Sequence, residues 1–295
     1  MTGRNVALTV FGCSDVGRVR KTNEDAFVIA DLKQALSTYA TPQPVALEVG
    51  SLGILLAVSD GMGGEQAGEV ASALTLQSLS SELPSVQGGT VEAALTASVE
   101  NANRKVWDVA VDTNRKGMGA TLTAVLIHGH RAYVAEVGDS RAYVLRGSRL
   151  CQVTHDQSYA QVLFDAGTLT REELRSFRYK NVIMQAMGTR ADVVVALNRF
   201  TLRRGDRLLL CSDGLTTKVQ DEELRRVLLS TPNLDTACRT LVELANERGG
   251  EDNITVVIAQ MSGEDLPALT GEERISLETV QAFTAPLPRL DRAAR

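Results

Sequence analysis

Aromatic side chains make up only 4 % of the 295 residues. Single-stranded nucleic acids bind on stacking platforms that need more of them, so that class is disfavoured. Histidine is rarer still. His128, His130 and His155 are accompanied by no H-E-x-x-H or C-x-x-C pattern, which argues against a zinc centre. The four cysteines, Cys13, Cys151, Cys211 and Cys238, lie far apart. They read as reduced thiols of a cytoplasmic protein, not as a disulfide framework. No apolar run approaches a membrane span. Met1 to Val10 lacks the basic segment, apolar core and cleavage site of a signal peptide. Positive charge is not in excess either. The chain has 31 basic and 36 acidic side chains, a net charge of −5, and no basic face for a phosphate backbone.

What is present is an ordinary globular composition, 44 % hydrophobic and 23 % charged. Short apolar runs bounded by turn signals predict strands at Val6–Phe11, Phe27–Ala30, Gly53–Ser59, Thr121–Ile127, Arg131–Val137, Ala142–Leu145, Val193–Phe200, Arg207–Cys211 and Ile254–Ala259. Arg131–Val144 reads as two antiparallel strands around Gly138. His128-Gly129-His130 reads as a hairpin turn. Helical spacing of apolar residues predicts helices over Glu65–Leu83, Thr90–Val111, Asp221–Leu229 and Leu234–Arg248. Strands come in blocks and helices in pairs, which points to α+β. Sheet packed on sheet with helix pairs outside fits the order best. Residues 31–51 hold two prolines and read as a surface insertion. After Gln260 the chain reads as a loose tail or a short docking helix.

The strongest chemical signal is a carboxylate placed where a buried strand emerges. Asp60-Gly61 follows one apolar run, Asp213-Gly214 another, and Gly138-Asp139-Ser140 a third. Gly249-Gly250-Glu251-Asp252-Asn253 and Asn23-Glu24-Asp25 precede two more. A single Asp-Gly is an ordinary turn dipeptide. Several acids converging in one cleft repel each other and need a cation between them. Oxygen-only ligands select Mg²⁺ or Mn²⁺. Gly61-x-Gly63-Gly64 before a helix lacks the rest of a nucleotide-binding loop, so that reading is set aside.

Six stretches in order resemble the PP2C (PPM) family of metal-dependent serine/threonine protein phosphatases, in its bacterial form. They are Ser14–Asp25, Ser59–Gly64, Gly117–Thr121, Val137–Arg141, Cys211–Leu215 and Gly249–Asn253. The similarity spans roughly Val6 to Gln260. It implies a four-layer αββα sandwich, two antiparallel β-sheets flanked by helix pairs. The phosphatase domain is expected over residues 1–261, with a flap at about 156–188, an insertion at about 31–51 and a tail at 262–295.

The resemblance also implies roles. Asp60 is expected to bridge two metal ions, with the Gly61 carbonyl ligating one and Asp213 and Asp252 the other. Asp25 is expected to hold a metal-bound water, and Asp139 to bind a third, weaker ion. Arg20 is expected to bind the substrate phosphate, and Asn253 to orient its neighbouring ligand. The implied reaction is hydrolysis of phosphoserine and phosphothreonine by a hydroxide bridging two Mn²⁺ or Mg²⁺ ions, with no phosphoenzyme. Expected partners are phosphoproteins, including a Ser/Thr kinase, and the expected state is a cytoplasmic monomer. A non-catalytic relative that binds a kinase or phosphoprotein is the alternative. Two departures stand out. Met62 occupies a position where the family's other branch has histidine. The flap carries Phe177-Arg178-Tyr179-Lys180-Asn181-Val182-Ile183, where bacterial relatives often carry His-Pro-x-Arg-Asn-Val-Ile.

Overall fold

Along the strand Ile54–Met62, neighbouring side chains enter two different cores. Ile54, Leu56 and Val58 join one apolar cluster, and Leu55 and Ala57 join another. Successive strand residues face opposite ways, so a strand apolar at every position is buried on both sides. The continuous runs seen in the sequence follow from this. The structure, a computed structural model, describes residues 5–284 apart from 35, 39, 64–66, 86–88, 116 and 272. Gly64 and Glu65, read above as part of a motif and of a helix, lie outside the described residues, as do 285–295.

In chain order the elements begin with β1 (Ala7–Asp15), β2 (Asp25–Asp31), β3 (Leu36–Thr38), β4 (Val45–Glu48), β5 (Ile54–Met62), α1 (Ala67–Glu82) and α2 (Val91–Asp112). Next come β6 (Gly119–Ala120), β7 (Leu122–His128), β8 (Arg131–Val137), β9 (Arg141–Arg146), β10 (Arg149–Gln152), α3 (Tyr159–Asp165) and α4 (Arg171–Ser176). The last are β11 (Ala196–Thr201), β12 (Arg207–Cys211), α5 (Asp213–Thr216), α6 (Asp221–Ser230), α7 (Leu234–Glu247), β13 (Ile254–Ser262) and β14 (Glu278–Gln281).

Two antiparallel sheets form. One runs β10-β9-β12-β13-β1-β4, and the other β14-β11-β8-β7-β5-β2-β3 with β6 on the end of β5. Strand β1 also serves two cores. Leu8 and Val10 face the core between the sheets, while Phe11 and Cys13 face α7. Helices α1 and α2 cover the outer face of the larger sheet through Leu76, Leu79, Leu95 and Val99. Helices α6 and α7 cover the smaller sheet through Leu224, Leu228, Leu241 and Ala245. The result is the expected four-layer αββα sandwich.

Three expectations are corrected. The strands around Gly138 do not pair with each other. β8 pairs with β7 and β11, whereas β9 pairs with β10 and β12 in the other sheet. The chain crosses between sheets there, and Gly138 turns it at φ 106°. Residues 31–51 are more than a surface insertion. They add β3 to one sheet edge and β4 to the other, and Thr41 both accepts from the Gly12 N–H (2.8 Å) and donates to its carbonyl (2.6 Å). The described residues after Gln260 are neither loose nor helical. Leu266 is fully buried between the sheets, Arg203 pairs with Glu273 at 2.7 Å, and β14 pairs with β11. Their exposed, half-polar pattern hides the strands, because an edge strand has only one neighbour to satisfy.

Candidate metal centre

Each acidic residue singled out in the sequence sits at one end of the sandwich. Asp25 opens β2 and is the cross-strand partner of Asp60 on β5. Asp213 follows β12, and Asp252 precedes β13, in the other sheet. Asp139 lies in the crossover between the two. Glycines let these segments touch. A Cβ at Gly214 would stand 1.9 Å from the Asn253 carbonyl oxygen, and one at Gly61 2.2 Å from that of Gly68. Neither position admits a side chain without moving backbone.

The electrostatics follow from this crowding. Burial lifts Asp60 well above the usual carboxylate range, and the charges of Asp25, Asp213, Asp139 and Asp252 lift it further. Asp213 is raised by burial and then by Asp252, while its hydrogen bond with Asp60 works the other way. Asp139 is raised well above its ordinary value by burial and by Asp213. Asp25 is raised to about 7, chiefly by burial. Its Oδ2 accepts from Ser212 Oγ at 2.7 Å, and its buried Oδ1 has no hydrogen-bond partner among the described residues.

A divalent cation suits this donor set. All five groups are carboxylates, four of them (Asp25, Asp60, Asp139 and Asp213) are raised by burial and by neighbouring acids, and one buried oxygen is left over. Hard cations take such ligands and relieve such repulsion. Among the described residues, no three histidine, cysteine or acidic side chains lie as they stand in a group that could hold a metal ion. Asp60 and Asp213 instead hydrogen-bond each other.

The Arg20 loop is tied to the same place. Arg20 Nη2 lies 2.9 Å from Asp252 Oδ2, with both side chains partly exposed. Asn253, nearly buried, donates to the carbonyls of Val16 (2.9 Å) and Thr22 (3.0 Å) and accepts from the Glu24 N–H (2.8 Å). Asn253 therefore clamps both ends of the loop that carries Arg20. Sequence reasoning missed the supporting hydroxyls. Ser212 bridges Asp25 and the Thr255 N–H, and Thr121 Oγ1 accepts from the Asp60 N–H at 2.9 Å and contacts Ser140 Oγ at 2.7 Å. Their only signal was membership of the same motifs.

Beside the acids, a cleft of about 500 Å³ runs under α3 and α4, with Asp139, Asp213, Arg141, Phe164, Arg171 and Lys180 on its walls. The segment over it is anchored at both ends. Arg141 grips Asp156 through three hydrogen bonds of 2.6–3.0 Å, and Ala120 pairs with Met187. Ser158 caps α3, and Thr170 with Glu173 forms a capping box on α4. Caps of this kind explain how such short helices persist.

Residues 45–254 match the family model described as protein phosphatase 2C. The chain belongs to the protein phosphatase 2C family. It is 39 % identical over 263 residues to the serine/threonine protein phosphatase PstP of Mycobacterium tuberculosis, covering 88 % of this chain and 46 % of that protein. The chain thus spans about half the length of that relative. It is 36 % identical over 214 residues to the protein phosphatase PhpP of Streptococcus pneumoniae, covering 72 % of this chain and 87 % of the relative. Among solved structures it resembles the catalytic domain of a serine/threonine protein phosphatase PstP in complex with two manganese ions. There the TM-score is 0.72 at 37 % identity, covering 87 % of this chain and 99 % of that one.

Proposed function

We propose that this chain is an active, cation-dependent phosphatase that hydrolyses phosphoserine and phosphothreonine in proteins. The observation that carries this reading is the meeting of Asp25, Asp60, Asp139, Asp213 and Asp252 from separate segments, with Arg20 at their rim. Asp60, Asp213 and Asp252, with the Gly61 carbonyl, would hold two Mn²⁺ or Mg²⁺ ions. Asp139, with Asp213, would hold a third more weakly. Such ions supply Lewis acidity and a nucleophilic water ionised near neutral pH. Asp25, oriented by Ser212, has a buried oxygen without a partner that would be available to accept a hydrogen bond there. Arg20 presents a planar guanidinium to two phosphoryl oxygens.

We assign the catalytic unit to residues 1–261, with the flap over 156–188 as the cleft's movable wall. Residues 31–51 are its edge-strand segment, and 262–295 its C-terminal tail. The partners are phosphoproteins, a Ser/Thr kinase among them, met by a cytoplasmic monomer. The test is a Mn²⁺ titration of hydrolysis on phosphothreonine and phosphotyrosine peptides, with chelator and Asp60→Asn as controls. Turnover of phosphothreonine that needs Mn²⁺ and drops by about 10³-fold or more in the variant is expected. Circular dichroism should show the variant folded. Full activity of Asp60→Asn, or activity indifferent to chelator, would overturn the assignment.

A further inference from the structure

Two of the four cysteines lie together, although they are 225 positions apart in sequence. Cys13 is on β1 and Cys238 on α7, and both pack in the apolar cluster between that helix and the smaller sheet. Their thiols are within hydrogen-bonding reach of each other. Cys238 is fully buried and its Sγ also contacts the Phe11 carbonyl at 3.7 Å. Cys13 is partly exposed. Arg239 stands over the Phe11 ring, 5.6 Å from its centroid, and its charge also acts on Cys13. Nothing in the phosphatase chemistry above uses either thiol.

The two sulfurs differ in a useful way. The hydrogen bond from Cys238 and the charge of Arg239 lower the Cys13 thiol, against its partial burial and the charges of Asp235 and Asp15. Burial raises Cys238 well above its ordinary value. Burial also raises Cys151, and it pushes Cys211 up to about 12. The thiolate is the reactive form, so the partly exposed Cys13 is the nucleophile and the buried Cys238 a reserve thiol beside it.

We infer that Cys13 and Cys238 form a peroxide-reactive dithiol site that closes to an intramolecular disulfide. The Cys13 thiolate attacks one oxygen of hydrogen peroxide. The O–O bond breaks, hydroxide leaves, and Cys13 becomes a sulfenic acid as the peroxide is reduced. The Cys238 sulfur then attacks Cys13 sulfur. The S–O bond breaks, the departing hydroxyl takes the Cys238 proton, and water leaves. Overall two thiols and one peroxide give one disulfide and two waters. A dithiol reductant reverses it.

The experiment uses the full reduced chain in chelator, exposed to hydrogen peroxide. Free thiols should fall from the four of the sequence to two. Peptide mapping should link the Cys13 and Cys238 peptides, and dithiothreitol should restore four thiols. Cys13 should react at least about tenfold faster than Cys151. In Cys13→Ser, peroxide should leave all remaining thiols free over the same period. In Cys238→Ser, a dimedone adduct should appear on Cys13. Oxidation of Cys13 straight to sulfinic acid without a cross-link would overturn the proposal. So would faster loss of Cys151, or an unchanged thiol count in the parent chain. The Cys13→Ser arm keeps the test decisive if the buried Cys238→Ser variant does not fold.

Discussion

Arg20 and Asp252 form an ion pair at the mouth of the acidic cluster, with Nη2 and Oδ2 2.9 Å apart. The residue proposed to grip phosphate is thus held by a residue proposed to grip metal. A pair this exposed contributes only about 0–1 kcal/mol, so a phosphate can displace it readily. Arg20→Ala should lower kcat/KM on a phosphothreonine peptide by about 10–100-fold, mostly through KM, and Arg20→Lys should recover only part of that. Steady-state kinetics on the three proteins check this, and an Arg20→Ala enzyme with unchanged kcat/KM would remove Arg20 from the phosphate site.

Glu136 is buried in β8, with Oε2 accepting the His155 N–H at 2.8 Å. Its Oε1 has no partner among the described residues. Burial raises its pKa well above the ordinary 4.5. The folded state therefore keeps a proton that the unfolded state loses. Its stability contribution is full below about pH 4.5 and declines as pH rises toward the raised value. Glu136→Gln should flatten this decline. Urea unfolding in chelator at pH 5 and pH 8 measures it, and equal pH slopes for both proteins would contradict the burial argument.

Gly214 has less room than any other glycine beside the acidic cluster. Its missing Cβ would lie 1.9 Å from the Asn253 carbonyl oxygen. Gly214→Ala should cost about 1–3 kcal/mol of stability. It should also weaken Mn²⁺ binding, because it pushes Asp213 away from Asp252. Denaturant melts and calorimetric Mn²⁺ titration report the two effects, and an unperturbed double result would mean the loops are not in contact.

Leu266 lies beyond β13 yet is fully buried. Leu266→Ala should destabilise the protein by about 2–5 kcal/mol. Replacing the exposed Val280 in β14 should cost less than about 0.5 kcal/mol. Comparable losses at both positions would contradict the described path of this segment.

The interior strands and the four long helices were legible because each carries its own pattern. β12 falls on Arg207–Cys211 as expected, and α7 ends at Glu247, one residue before the expected end. Short edge strands were not legible. β14 fully buries none of its four residues and β4 none, and the apolar run of β4 is only Val45-Ala46-Leu47, too short to mark a strand among prolines. The jump from β8 to β9 was missed for another reason. Local sequence shows a turn at Gly138, but which sheet the next strand joins is decided by Leu208 and Leu210, much later in the chain. That acids stand at the strand ends was readable in the sequence, and the structure adds that Asp25 pairs across strands with Asp60. The Arg20–Asp252 pair and the Asn253 clamp needed the third dimension, since more than 200 residues separate their partners.

Asp25 and Asp60 belong to one sheet, Asp213 and Asp252 to the other, and Asp139 to the chain that passes between them. A cation held between Asp60 and Asp213, as proposed above, would be a rivet through both leaves of the molecule. Removing it leaves the leaves glued by their apolar filling but pried apart at one edge by like charges. Heating the chelated protein should therefore start its opening at that edge, so tryptic cuts in the Arg20 loop should precede cuts in α7.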